Sequence, residues 1–156
     1  MTLCWRLLFA LWAVADYPAS IFPEELLAAY PEAKVILTTR GEDEWFKSMM
    51  ATVWHGHITA PADDVPMKDS LRKTFHHHCW DDDFPKNGRA LFQRHNALVR
   101  SASEGREFLE FRPEDGWDSL CEFLGVPVPS ESYPRTDAWG DYKAATAGQH
   151  VESGEN

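Results

Sequence analysis

The sequence predicts an α/β protein, a three-layer sandwich in which helices cover a mostly parallel sheet. Two observations lead there. Short runs rich in β-branched and aromatic residues, 34–39 and 108–111, are separated by amphipathic helical stretches, the order that joins parallel strands through crossover helices. The first run, Lys34-Val-Ile-Leu-Thr-Thr39, also has little polar alternation, as a strand covered on both faces requires. A chain of 156 residues with 44% apolar composition, seven Trp and nine Phe fills one core. We place that single, incomplete domain at 1–143. From Ala144 the composition turns small and polar, which predicts a flexible tail over 144–156.

Each element has a local cause. Residues 1–15, MTLCWRLLFALWAVA, read as the end of a core helix followed by a buried strand, Leu11 to Ala15; the alternative is a secretory signal cleaved before Asp16. No run of roughly 18 apolar residues exists, so a spanning helix is excluded. Pro23 with Glu24 and Glu25 opens a helix that stops before Pro31, because proline fits the first turn and acids suit the positive dipole end. Strand Lys34–Thr39 is broken by Gly41. Glu42, Asp43 and Glu44 then open a helix whose apolar stripe is Trp45, Phe46, Met49, Met50 and Val53. His55 to Asp69 reads as a loop, followed by a helix from Asp69 to about His78 and an acidic turn, Asp81–Asp83. A longer helix spans Gly88 to Ser103, a short strand Phe108 to Phe111, and a last helix Pro113 to Leu124, closed by Gly125.

The net charge of −10 argues against a broad nucleic-acid footprint, which needs surplus Lys and Arg on one face. Cys4, Cys79 and Cys121 are scattered, without CxxC spacing. They read as reduced thiols of a cytoplasmic protein and not as a zinc site. His76-His77-His78 tempts a metal reading, but adjacent helical side chains point about 100° apart, so at most one or two face a common site. No metal is expected.

Arg40 ends the first strand, and Ser48 stands eight residues later on the next helix. A guanidinium at a strand's carboxyl end can fork onto a phosphate, and a helical hydroxyl can add a neutral donor. The alternative pairs Arg40 with Glu42 or Glu44 and leaves Ser48 facing water.

These residues lie in a recognisable segment. DYPASIFPEELLAAYPEAKVILTTRGEDEWFKSM resembles the central part of sulfotransferases, particularly the sulfotransferase-like proteins of fungi. FLEFRPEDGWDSLCEFLGVPVP is similar to that family's late strand and helix, and RHNALVR, residues 94–100, resembles the helix before it. The resemblance implies a P-loop-NTPase-like sulfotransferase fold and 3′-phosphoadenylyl sulfate as co-substrate, with a small-molecule hydroxyl or amine as acceptor. It also implies that Arg40 and Ser48 bind the donor's 3′-phosphate. Arg135, in the stretch Tyr133–Asp137 after the Pro-rich turn, could approach the same nucleotide. Trp139-Gly-Asp-Tyr-Lys143 resembles, over a short stretch, the glycine-containing basic segment that closes over this phosphate. Asp16, two residues before Pro18, stands where animal cytosolic members place their catalytic His. A carboxylate can serve as general base, or it can simply accept backbone amides of the loop.

One departure is large. The family's first strand feeds a glycine-bearing loop whose backbone amides hold the 5′-phosphosulfate. In this sequence the glycines begin at Gly41. The expectation is an N-terminally truncated domain lacking its first strand–loop–helix, through a lost exon or a real loss. Such a chain would be inactive, or a non-enzymatic interaction domain retaining weak nucleotide binding. An exposed sheet edge would then favour self-association.

Overall fold

The computed structural model describes residues 13–59, 66–135, 137 and 139–146. Two strands, β1 (Val35–Thr38) and β2 (Phe108–Phe111), pair in parallel with Val35 opposite Phe108 and Thr38 opposite Phe111. Helix α1 (Pro23–Ala29) precedes β1; between the strands lie first α2 (Glu42–Met49), a π-helical turn Met50–Trp54 and α3 (His55–Thr59). Next come α4 (Pro66–Trp80) and α5 (Phe84–Ala102), and after β2 follow α6 (Gly116–Leu124) and α7 (Gly140–Thr146). The parallel α/β arrangement expected from the sequence is the one observed.

Side chains opposite one another in a parallel ladder share a face. Leu37 and Glu110 therefore lie on one side of the sheet, Thr38 and Phe111 on the other. The first face meets α5, where Arg100 forks onto Glu110 at 2.7 and 2.8 Å. The second meets α6, where the Lys34 ammonium donates to the carbonyl of Phe123 at 2.5 Å and sits over its ring. Helices thus cover both faces. Coverage is incomplete on β1: Leu37 and Thr39 are buried, but Ile36 is 37% exposed and Thr38 is exposed. The expectation that this strand is covered on both sides holds for one side only, because α6 packs under β2 and leaves the neighbouring part of β1 bare.

The ladder also has an open edge. Val35 donates to Glu107 and Thr39 to Phe111, so by the alternation of a strand the N–H groups of Ile36 and Thr38 face away from β2. Among the described residues no strand pairs there. The buried strand expected over Leu11–Ala15 does not form where it can be seen. Ala13, Val14 and Ala15 are exposed and unladdered, since no neighbouring strand meets them, and Leu11 and Trp12 lie outside the described residues.

Proline and aspartate set the helix starts as sequence chemistry dictates. Pro23 opens α1, and the Asp83 carboxylate accepts the Lys86 amide at the start of α5. Gly125 ends α6 in the left-handed conformation, φ 70°. Arg106 was not singled out from the sequence. Its guanidinium donates to the carbonyls of Leu27, Tyr30 and Pro31, tying the end of α1 to the turn before β2.

The centre of the core is Phe84, fully buried, with Trp80 and Cys79 beside it. The Phe46 ring stacks on it at 5.1 Å, and Trp45 and Trp80 meet it edge-on at 5.5 and 5.0 Å. Gly88 permits this: a Cβ there would stand 2.5 Å from the Phe84 ring. Burial pushes the Cys79 thiol up to about 11, so it is inert at neutral pH.

His76 is 1% exposed and accepts the Trp80 indole N–H on Nδ1 at 3.0 Å. The His57 ring stacks on it at 3.6 Å. Burial first, then His57 and Arg72, hold the imidazole of His76 down to about 4. An unfolded histidine takes its proton near pH 6.5, so between 6.5 and 4 the unfolded chain gains a proton that the folded chain refuses. Stability is lost as pH falls through that window, approaching about 3 kcal/mol at its lower end. The partnered carboxylates Glu42, Asp69, Glu110 and Asp137 are held below their usual values, so their contribution is lost only at lower pH. Urea midpoints measured from pH 7 to 4.5 will therefore fall, and His76→Gln, which keeps an acceptor for Trp80, will flatten that slope.

Candidate functional site

Arg40 directly follows the last residue of the ladder, Thr39, and is exposed at the carboxyl end of β1. Of the two acids expected to compete for it, Glu42 is engaged elsewhere, and Glu44 forms no ion pair with it within 4.0 Å. Glu42 accepts from Arg89 and Gln93, each at 2.8 Å, and Asp43 pairs with Arg89 at 2.7 Å. Among the described residues Arg40 forms no ion pair within 4.0 Å. Its positive charge instead reaches Asp137, whose carboxyl is held down first by Lys143, then by the Trp139 amide, and least by Arg40. Asp137 accepts from the Lys143 ammonium at 2.9 Å and from the Trp139 amide at 3.0 Å.

Ser48 is half-buried on α2, one turn after Trp45. The core takes Trp45, Phe46, Met49, Met50, Val53 and Trp54, which leaves Ser48, Thr52 and His55 on another side of the same continuous helix. The Thr52 hydroxyl donates back to the Ser48 carbonyl at 2.6 Å. His55 Nδ1 and the Tyr142 hydroxyl lie 2.8 Å apart, and Gly56 leaves room for that hydroxyl. Helix α7 therefore packs on the π turn that continues from Ser48. The π turn explains why the loop expected over His55–Asp69 is largely helical. One extra residue per turn lets the α2 stripe continue into α3 despite its His and Gly, and α4 begins at Pro66. Residues 60–65 lie outside the described residues.

Tyr133 packs against Phe111, the last residue of β2, and against Trp117, at 6.1 and 4.8 Å between ring centroids. The chain then runs past exposed Arg135 to Asp137, within the field of Arg40. The Asp137–Lys143 pair thus lies within electrostatic reach of Arg40, Arg135 stands two residues before Asp137 along the chain, and Ser48 is on the helix that follows Arg40. The final helix runs to Thr146, into the stretch expected to be tail; residues 147–156 lie outside the described residues. Asp137 and Tyr142 were not picked out from sequence. Their partners stand 6 and 87 residues away, beyond the reach of local pattern.

Asp16 lies elsewhere. It has φ 61°, its carboxylate accepts the Tyr17 amide at 2.7 Å, and its carbonyl accepts the Ser20 amide. It also edges a cavity of about 340 Å³ lined by Tyr17, Lys68, Leu71, Arg72 and Phe75. The loop-capping role and a position beside an open cavity coexist in one residue. The three consecutive histidines diverge. His76 is buried, while exposed His77 pairs with Asp82 at 2.9 Å, which raises its pKa, and His78 is exposed.

The sequence profile of the sulfotransferase domain family matches residues 4–142. "Ava biosynthesis cluster protein M" of Aspergillus versicolor is 35% identical over 136 residues, covering 78% of this chain and 52% of that protein. The chain thus spans about half the length of that curated relative.

The His55–Tyr142 contact is the polar link between α7 and the Ser48 helix. Tyr142→Phe will cost about 1 kcal/mol. It will speed amide hydrogen exchange in α7 while leaving β1 and β2 protected; unchanged exchange in α7 would dismiss this link.

Proposed function

Since this chain belongs to the sulfotransferase domain family, we propose that it serves transfer of a sulfuryl group from 3′-phosphoadenylyl sulfate to a small-molecule hydroxyl or amine. The observation that supports this most is Arg40, exposed at the sheet's carboxyl edge, with Glu42 and Asp43 drawn off by Arg89. A ribose 3′-phosphate needs charge-assisted donors held by rigid backbone. Arg40 follows a ladder residue and Ser48 sits on a helix locked by Phe46 and Trp45. Lys143, paired with Asp137, can exchange that carboxylate for the incoming phosphate, and we assign exposed Arg135, two residues before Asp137, as a further donor.

In the transfer, the acceptor oxygen attacks sulfur in line as the bond from sulfur to the donor's phosphate oxygen breaks. The acceptor proton leaves to a base, and adenosine 3′,5′-bisphosphate departs. Asp16, facing the cavity, is the residue we assign as that base. Among the described residues none forms a glycine-bearing backbone cradle for the 5′-phosphosulfate. On this reading the 156-residue chain binds nucleotide and turns over little or no donor by itself. A second reading, an interaction domain, draws on the unpaired edge of β1 and the bare Ile36.

Calorimetry with adenosine 3′,5′-bisphosphate and with adenosine 5′-phosphate separates these. The bisphosphate will bind more tightly, and Arg40→Ala will weaken it about 30-fold, to the level of the monophosphate. Equal affinity for the two nucleotides in the unaltered chain would remove the phosphate clamp. With labelled donor and a panel of phenols and amines, the unaltered chain will give no sulfated product above background.

A further inference from the structure

Helix α2 opens on Glu42, Asp43 and Glu44, which places three carboxylates just after Arg40 in the chain. A free carboxylate there would pair with the guanidinium or repel a phosphate brought to it. One side chain of another helix holds two of the three. Arg89, on α5, donates through Nη1 to Glu42 Oε1 at 2.8 Å and pairs through Nη2 with Asp43 Oδ1 at 2.7 Å. Gln93, one turn further along α5, donates to Glu42 Oε2 at 2.8 Å. Both oxygens of Glu42 thus take their donors from α5.

The position of Arg89 is itself fixed by the core. Its guanidinium lies 4.4 Å from the centroid of the Phe46 ring, and that ring stacks on Phe84. Trp45 meets Phe84 and Phe92 at 5.5 and 4.7 Å, so α2 and α5 cannot slide past one another without breaking this packing. A planar guanidinium can fork onto two carboxylates and lie over a ring at the same time; an ammonium is a single point of charge. Gln93 first, then Arg89, hold the Glu42 carboxyl below its ordinary value, so it remains ionised at neutral pH.

We propose that Arg89 is a positioning residue for Arg40: by keeping Glu42 and Asp43 on α5, it leaves the Arg40 guanidinium open to an anion. This role rests on the reading of Arg40 as a clamp for the 3′-phosphate. Arg89 acts through Arg40, withdrawing a competitor that stands two residues from it in the chain. With Arg89 absent, Glu42 turns to Arg40 and the phosphate must displace it.

Calorimetry on the full chain with adenosine 3′,5′-bisphosphate and adenosine 5′-phosphate reads the effect. Arg89→Met, which keeps an apolar stem over Phe46, will weaken the bisphosphate about five-fold and leave the monophosphate unchanged, as one competing ion pair allows. Arg89→Lys, which keeps the charge, will fall between it and the unaltered chain. Adding Glu42→Gln to Arg89→Met restores the net charge and will restore the affinity. Adding Glu44→Gln restores the same net charge and will not, a difference that neither lost packing nor a long-range field produces. Without nucleotide, NMR titration of the Glu42 carboxyl reads its partner directly: Arg40→Ala will raise the midpoint in the Arg89→Met background and not in the unaltered chain. An unchanged bisphosphate preference in Arg89→Met, recovery in both double variants or in neither, or a Glu42 midpoint indifferent to Arg40 in that background would overturn the role. Should the unaltered chain bind both nucleotides equally, the phosphate clamp falls, and the NMR titration alone upholds or overturns the hold of Arg89 on Glu42.

Discussion

The packing of aromatic rings around Phe84 is the constraint on which the other features depend. That ring is fully buried at the first turn of α5 and touches residues of α2, the π turn and α4. A two-stranded sheet is marginal by itself. What holds β1 in place is therefore the helix layer, and Phe84 with Trp80 and Phe46 locks that layer. Once the Trp and Met stripe of α2 is committed to this core, the helix has no rotational freedom left. Ser48, Thr52 and His55 then lie off that stripe, and His55 meets Tyr142 of α7. The orientation of the polar side follows from the apolar one.

Electrostatics divide the molecule into satisfied and available charge. Acids outnumber bases by 25 to 15, and Lys34, Arg72, Lys73, Arg89, Arg100 and Lys143 each pair with a carboxylate. Arg89 is taken by Glu42 and Asp43, Arg100 by Glu110, and Arg106 by three carbonyls. These pairs are partly exposed and individually weak in stability terms. The Arg89 pairs also take Glu42 and Asp43 from Arg40, whose charge reaches the partnered Asp137. In an acidic protein, a cation left at a rigid edge acts as a local attractor whose reach is about a Debye length. Arg40 is such a place.

The strands were legible because their signal is intrinsic: runs of four to six residues rich in β-branched or aromatic side chains, bounded by Gly or Pro turns. Pro23, Asp83 and Gly125 likewise mark helix ends through chemistry that acts within one turn. The stretch after Trp54 was misread for the opposite reason. His, Gly and Thr are poor helix formers, and the helix persists there through contacts with His76, Arg72 and Tyr142, far along the chain. Coverage of β1 was over-read too. Val, Ile and Leu in sequence imply burial on both faces, yet which helix lies under which strand is not written locally.

The sequence by itself determined the parallel α/β class, the order of the elements and the place of Arg40 and Ser48 on a strand end and the following helix, because those depend on spacing and on propensity within a few residues. Only the tertiary structure decided that Glu42 would pair with Arg89, and that Asp137 would come within electrostatic reach of Arg40. Each of those outcomes joins residues from different elements. The choice between competing charge partners is made by distance in the folded core, where a separation of 47 residues along the chain becomes 2.8 Å.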